Sequence, residues 1–212
     1  MAAAAVHVSR HPLVLQRLAN LRHKDTPTPE FRRMVRDLAQ LIFYEATTDL
    51  ALRSIEVPTP LASCQSHEFA ERIGLIPILR AGLGMAEAIL DLVPSAQVWH
   101  LGIYRDHETS QPVLYYNPLP ERPNMDIAFV VDPMLATGGS ALFSIAVLKK
   151  LGVRRIKFLG LIAAPEGITN MQREHPDVPL HLAAVDEGLN DQDYIVPGLG
   201  DAGDRQFGTG SS

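Results

Sequence analysis

One stretch of the chain, residues 126–140, constrains the fold more than any other. It contains an uninterrupted apolar run, Ile127–Val131, which is typical of a strand buried on both faces of a parallel sheet. The acid Asp132 follows at once, and then comes a loop rich in threonine and glycine. Residues 141–151 repeat leucine and isoleucine at helical spacing, and Gly152 suits the end of that helix. The order strand, acid, loop, helix predicts an α/β fold.

The loop after Asp132 has the composition of a phosphate site. Glycines let successive backbone N–H groups point toward one spot, and the following helix adds its positive end there. Thr137 and Ser140 add hydroxyl donors, whereas Asp132 repels phosphate and should meet sugar hydroxyls or a hydrated cation. A site that binds a phosphate next to two hydroxyls suits a phosphorylated sugar. The alternative is a purely structural turn. The loop matches neither a Walker A sequence nor a dinucleotide fingerprint, which disfavours an ordinary nucleoside-triphosphate or NAD site.

Strands and helices alternate along much of the chain. Arg80 follows one predicted strand and precedes two glycines, so its forked donors suit phosphate oxygens, with a surface salt bridge as the alternative. We expect a largely parallel sheet with helices on both faces, and a β-hairpin arm that includes residues 98–116. Two helices are expected within residues 8–52. The other predicted strands lie at residues 75–79, 156–164 and 180–185.

Two stretches follow no clear pattern. Residues 54–72 suggest only a short edge strand at 55–57, and the role of residues 61–72 stays open. In residues 194–209, the glycines, acids and proline argue against a regular element. Apolar residues such as Ile195 nevertheless predict an ordered loop, whose backbone groups would lie close to a ligand; a disordered tail is the alternative.

Composition narrows the class of protein. A chain of 212 residues suits one α/β domain, and a net charge of −5 without a basic run argues against nucleic-acid binding. The single cysteine, Cys64, excludes an intrachain disulfide and zinc sites built on cysteines. No apolar run has membrane-spanning length, and the first residues lack the order of a signal peptide. We expect a cytoplasmic protein without a membrane or nucleic-acid partner.

Three separated segments, residues 77–85, 131–140 and 194–204, resemble segments of uracil phosphoribosyltransferases in the same order. With shorter matches elsewhere, the resemblance covers nearly the whole chain. Residues 131–140 resemble the loop that binds phosphoribosyl diphosphate (PRPP) and are called the PRPP loop below. The segment Gly-Leu-Gly-Asp-Ala-Gly-Asp near the end is the specific sign of uracil. The resemblance implies one phosphoribosyltransferase domain over residues 1–212, with a uracil-binding segment at 194–209.

The resemblance also implies the reaction and its residues: transfer of 5-phosphoribosyl from PRPP to N1 of uracil, giving UMP and diphosphate, with Mg²⁺. Arg80 and Arg105 would contact the diphosphate. The implied catalytic residues are Asp132, Arg105 and Asp201. The implied PRPP-binding residues are Arg80, Arg105, Asp132, Pro133, Met134, Leu135, Ala136, Thr137, Gly138, Gly139, Ser140 and Asp201. The implied uracil-binding residues are Ile195, Gly200, Asp201 and Ala202.

The metal ligands, the acceptor base and the assembly each have alternatives. Val131 precedes Asp132 where many relatives of the wider class carry a second acid, so we expect PRPP and water, rather than protein ligands, to hold Mg²⁺. One alternative function is a regulator with this fold that binds RNA or DNA in response to PRPP or UMP. Another is the same reaction with orotate or a purine; for the orotate carboxylate, Arg205 is the nearby cation. A homo-oligomer and allosteric activation by GTP are further expectations.

Overall fold

A computed structural model describes residues 4–105, 112–116 and 119–209, with the backbone alone for residues 103–105 and 112–115. The strands are β1 Val6–Val8, β2 Leu52–Pro58, β3 Ser63–Phe69, β4 Ile73–Pro77, β5 Gln97–Val98, β6 Gly102–Arg105, β7 Pro112–Tyr116, β8 Ile127–Val131, β9 Met134–Leu135, β10 Arg155–Ala163, β11 Leu180–Val185, β12 Gly188–Leu189 and β13 Ile195–Val196. The helices are α1 Pro12–Arg22, α2 Thr28–Ala46, α3 Leu83–Leu92, α4 Gly139–Lys150, α5 Pro165–Glu174 and α6 Ala202–Phe207.

The central sheet is parallel and runs in the order β1-β11-β10-β8-β4-β5, with the short β9 paired to β10. All residues of β8 are buried, as the apolar run predicted. Because β8 lies between β10 and β4, its carboxyl end opens near the middle of the sheet. Ligands of open α/β sheets bind at this end of the strands, and Asp132 follows there.

Helices cover both faces of the sheet, which confirms the predicted α/β architecture. On one face, Phe129 belongs to an apolar cluster with buried residues of α1, α2 and α3. On the other face, Val130 packs in a cluster with residues of α4 and α5. Neighbouring residues of β8 therefore point to opposite faces, and each face has its own helices. None of the described helices is both long and apolar enough to cross a membrane.

Three two-stranded antiparallel sheets stand apart from the central sheet among the described strands, namely β2-β3, β6-β7 and the short pair β12-β13. β6 and β7 pair antiparallel, so the expected arm is present. It begins at Gly102 rather than at residue 98, because Val98 lies in β5 and pairs with β4 in the central sheet, and the turn at 106–111 lies outside the described residues. β2 and β3 form a second hairpin that the sequence analysis missed, since it found only an edge strand at 55–57. Most residues of both strands are exposed, so neither shows the alternation of a half-buried strand. Cys64 lies exposed on β3.

Three further boundaries differ from the prediction. Residues 6–8 form an edge strand, because they pair with β11, rather than the loose start of a helix. Helix α2 ends at Ala46 instead of continuing toward residue 52, since hydroxyls of the following threonines bond to carbonyls of its last turn. The tail was expected to lack regular elements, yet it contains β13 and α6. The carboxylate of Asp201 caps α6 by accepting the N–H of Asp204 at 2.8 Å.

Candidate active site

The PRPP loop connects β8 to α4 and encloses a small cleft of about 90 Å³. Gly138 has a φ of +85°, which glycine adopts without strain, and α4 begins at the next residue. The side-chain amide of Asn170 in α5 donates to the carbonyl oxygen of Thr137 at 3.0 Å and so links the loop to α5. The cleft thus lies beside the amino end of a helix, which favours an anion. It is lined by Asp132, Met134, Leu135, Ala136, Thr137, Gly138, Gly139, Ser140 and Ala141.

Asp132 has the most perturbed acidity at this site. Burial raises its pKa to about 7, and the negative charge of Asp201 acts in the same direction. The N–H of Met134, 3.4 Å from Oδ1, opposes these effects by stabilising the charged form. Near neutral pH the carboxyl is therefore present in both protonation states. A cation that approached it would favour the charged form.

A second loop, which contains Arg80, packs against the carboxyl end of β8. The N–H of Ile78 donates to the carbonyl oxygen of Val131 at 3.0 Å, and the peptide bond between Leu79 and Arg80 is cis. A Cβ atom at Gly82 would lie only 2.4 Å from the Val131 oxygen, so this approach requires glycine. The loop borders a second cleft, of about 230 Å³. That cleft is lined by Ile78, Leu79, Arg80, Ala81, Asp132, Met134, Ser140, Asp201 and Gly203.

The guanidinium of Arg80 lies at this second cleft and is bound to the tail. It donates to Asp204 Oδ1 at 3.0 Å and to Thr209 Oγ1 at 3.2 Å, and its side chain is 56% exposed. Hydrogen bonds from the Thr209 hydroxyl and from Arg80 lower the pKa of Asp204. The cation thus already binds an anionic group at an exposed position. An anionic ligand in the cleft would compete with Asp204 for it.

The tail borders the larger cleft through Asp201, the last residue of a tight loop, residues 195–201, which we call the base loop. Gly198 and Gly200 have φ values of +64° and +76°, and the bond from Val196 to Pro197 is cis. From α6 beyond it, the amide of Gln206 donates to the carbonyl oxygen of Ala81 at 2.9 Å. This bond ties the tail to the Arg80 loop.

The structure brings the predicted residues of the PRPP loop, Arg80 and Asp201 together at one end of the sheet. The predicted uracil residues Ile195, Gly200 and Ala202 lie in the tail next to Asp201, at the start of α6 and in the base loop. Arg105 ends β6, but its side chain lies outside the described part of the chain. Asn170 and Gln206 were not predicted, because a single polar residue in a helix carries no signal of a partner far along the chain.

Comparisons with known proteins place the chain in a family. Residues 8–209 match the family model described as uracil phosphoribosyltransferase. A uracil phosphoribosyltransferase from Roseiflexus sp. (strain RS-1) is 61% identical over 207 residues, 98% of this chain and 100% of that protein. The solved structure of the AQ2163 protein from Aquifex aeolicus superposes with a TM-score of 0.91 at 36% identity, covering 98% of this chain and 100% of that one.

A more distant comparison bears on the fold alone. The structure of a hypoxanthine-guanine phosphoribosyltransferase from Bacillus anthracis has a TM-score of 0.50 and 11% identity. It covers 75% of this chain and 80% of that one. About three quarters of the chain therefore shares its fold with a phosphoribosyltransferase of low sequence identity.

Proposed function

This chain belongs to the uracil phosphoribosyltransferase family, and we propose that its two adjoining clefts and its base loop bind PRPP and uracil. The enzyme transfers 5-phosphoribosyl from PRPP to N1 of uracil and releases UMP and diphosphate, a step of pyrimidine salvage. One observation carries the assignment of the sites: Asp132 and Ser140 line both clefts, so a single extended ligand fits across them.

PRPP occupies the clefts in a defined direction in this proposal. Its 5-phosphate enters the smaller cleft, where backbone N–H groups of residues 137–140 and the positive end of α4 receive it. Its ribose hydroxyls face Asp132. Its diphosphate lies in the larger cleft beside Arg80, whose two nitrogens exchange Asp204 and Thr209 for phosphate oxygens.

The proposed arrangement suits the charges that develop during transfer. As the bond between C1 and the diphosphate breaks, positive charge builds on the sugar ring and negative charge on the leaving group. Asp132 and Asp201 then stabilise the ring, while Arg80 and Arg105 stabilise the diphosphate. Direct attack by the base needs no protein nucleophile, so positioning of the two substrates matters most.

Mg²⁺ fits this site as a hydrated ion that arrives with PRPP. Asp132 and Asp201 line the same cleft. Burial, and to a smaller extent the charge of Asp201, raise the pKa of Asp132, and a cation between the two carboxyls would favour the charged form. When bound, the ion offsets the charge of the diphosphate. We propose that PRPP and water supply most of its ligands. The described residues contain no group of three or more His, Cys, Asp or Glu side chains placed to hold a metal.

Uracil is recognised in this proposal by backbone groups of Ile195, Gly200 and Ala202, which offer donors and acceptors to a planar pyrimidine. Arg205 is the nearby cation that could have favoured orotate, but it is engaged elsewhere. It donates to the carbonyl oxygens of Leu199 at 2.8 Å and His23 at 2.6 Å. It also lies 4.4 Å above the ring of Phe31. A carboxylate on the base therefore finds no available cation at Arg205.

A nucleotide-formation assay tests the proposal. The protein is incubated with PRPP and Mg²⁺ and with uracil, orotate, cytosine, adenine or hypoxanthine in parallel. We expect UMP from uracil and no product from the other bases. Product from orotate would contradict the role of Arg205, and product from a purine would contradict the role of the base loop. The alternative of a regulator that binds RNA is not favoured, because the named relatives are enzymes.

Self-association is a further part of the proposal. β2 and β3 pair only with each other among the described strands, and Leu61 between them is 97% exposed. Leu52 and Phe69 at the base of the hairpin are exposed as well. A second copy would cover these apolar side chains. Light scattering coupled to gel filtration should give a mass of at least two chains of 23.2 kDa, and a monomer would contradict it.

Regulation and location complete the proposal. We propose GTP as an allosteric activator from the family resemblance alone, and a cytoplasmic location as the sequence predicts. Initial rates at subsaturating PRPP, with and without GTP, test the first point. Equal rates would contradict activation.

A further inference from the structure

Two side chains fasten the middle of the base loop to the end of α1. Arg22, the last residue of α1, binds both carboxylate oxygens of Asp186, with 2.7 Å between Nη1 and Oδ2. Nη1 also donates to the carbonyl oxygen of Gly198 at 2.7 Å. Asp186 Oδ2 in turn accepts the N–H of Gly198 at 2.9 Å. Both backbone polar groups of Gly198 are thereby held by one ion pair.

This ion pair is largely buried, and its charged groups are hydrogen-bonded. The side chain of Asp186 is only 3% exposed and that of Arg22 is 23% exposed. Position 198 requires glycine, since a Cβ atom there would lie 2.0 Å from the carbonyl oxygen of Ile195. Charged hydrogen bonds in a buried setting are strong and directional. The ion pair therefore fixes the backbone of Gly198, at the middle of the base loop.

We propose that Arg22 and Asp186 are positioning residues of the uracil site. The inference rests on the proposed function, in which backbone groups on either side of Gly198 bind the base. A backbone group has no rotamers with which it could compensate for a shift of the loop. A displacement of about 1 Å between binding group and substrate can cost on the order of 100-fold in rate. Neither residue lines the two clefts assigned to PRPP. Loss of the ion pair should therefore impair use of uracil and spare use of PRPP.

Arg22→Met tests this separation. We expect the KM for uracil to rise by at least about 10-fold, while the KM for PRPP stays within about 2-fold of the wild-type value. The matched control is Arg17→Met on the same helix, where Arg17 pairs with Asp37 at 3.2 Å away from the base loop. The control should leave both KM values unchanged. Equal increases for the two substrates in Arg22→Met, or no increase for uracil, would overturn the proposal.

A double variant separates positioning from stability. Arg22→Met leaves Asp186 buried without its partner and lowers stability, whereas Arg22→Met with Asp186→Leu removes both charges and should recover part of the melting temperature. Gly198 still lacks its side-chain partners in the double variant, so the KM for uracil should remain raised. A return to the wild-type KM would show that the ion pair serves stability alone. If wild-type protein forms no UMP from uracil, the proposed function fails instead, which is a distinct result.

Discussion

Asp132→Asn is expected to make the protein more stable at alkaline pH while greatly reducing turnover. The folded protein raises the pKa of Asp132 from 3.8 to about 7, so it disfavours the charged carboxylate. A raised carboxyl pKa means that the folded state binds the proton more tightly than the unfolded state. The free energy of unfolding therefore falls as the pH rises from about 4 through about 7. Asparagine does not ionise and escapes this loss.

The size of the effect follows from the difference between the two pKa values. Three pKa units correspond to about 4 kcal/mol, which is the upper limit of the gain above pH 8. Part of this limit is already reached at pH 5, so the advantage of the variant should grow by up to roughly 2.5 kcal/mol between pH 5 and pH 8.5. Because Asp132 keeps part of its surface exposed in the open cleft, water reduces the observed gain below these limits.

Urea unfolding of both proteins at pH 5 and pH 8.5 measures the effect. Asp126→Asn is the control of opposite sign, because hydrogen bonds from Arg72 lower the pKa of Asp126 to about 2 and favour its charge. That variant should gain no stability at pH 8.5. Turnover of Asp132→Asn should fall by about 100-fold or more if the carboxylate stabilises the sugar ring. Equal stabilities of wild type and Asp132→Asn at pH 8.5 would refute the desolvation of this carboxyl.

Three other substitutions test separate parts of the site. Arg80→Ala should raise the KM for PRPP by roughly 10-fold or more in steady-state assays. The control variant Arg72→Ala should keep the wild-type KM. An unaltered KM in Arg80→Ala would contradict its place in the diphosphate site. Gly82→Ala forces its Cβ against the Val131 oxygen, 2.4 Å away, and should cost on the order of 1–3 kcal/mol in denaturant unfolding. Wild-type stability would contradict that close approach. Asp201→Ala should remove the cap of α6, at about 1 kcal/mol, and lower kcat/KM, whereas normal kinetics would contradict its catalytic role.

The elements that could be predicted are those whose own residues determine whether they form a strand or a helix. β8 was recognisable because all of Ile127–Val131 is apolar, which suits burial on both faces. β3 was not, because Ser63–Phe69 is polar and exposed, and only its pairing with β2 makes it a strand. Helix α6 was missed for a similar reason. Its glycine and acids disfavour a helix, while a cap from Asp201 and contacts with α2 stabilise it.

The same distinction applies to the candidate site. Asp132 and Arg80 could be placed together because each follows a parallel strand, and the carboxyl ends of such strands meet at one edge. The ion pair of Arg22 and Asp186 had no comparable signal, since the two residues are far apart in the chain and neither belongs to a motif. Its existence depends on how α1 packs beside β11. Only the assembled fold contains that information.

The pairing of β1 with β11 has a consequence for the folding of the nascent chain. Val6 lies opposite Leu180, so about 170 residues must be made between the two partners. At roughly 5–20 residues per second, translation takes on the order of 10–30 s to cover that distance. Throughout this time the first strand has no sheet edge to join, because β11 has not yet been synthesised. Strand β1 thus leaves the ribosome well before β11, and it is among the last elements that can take their native position.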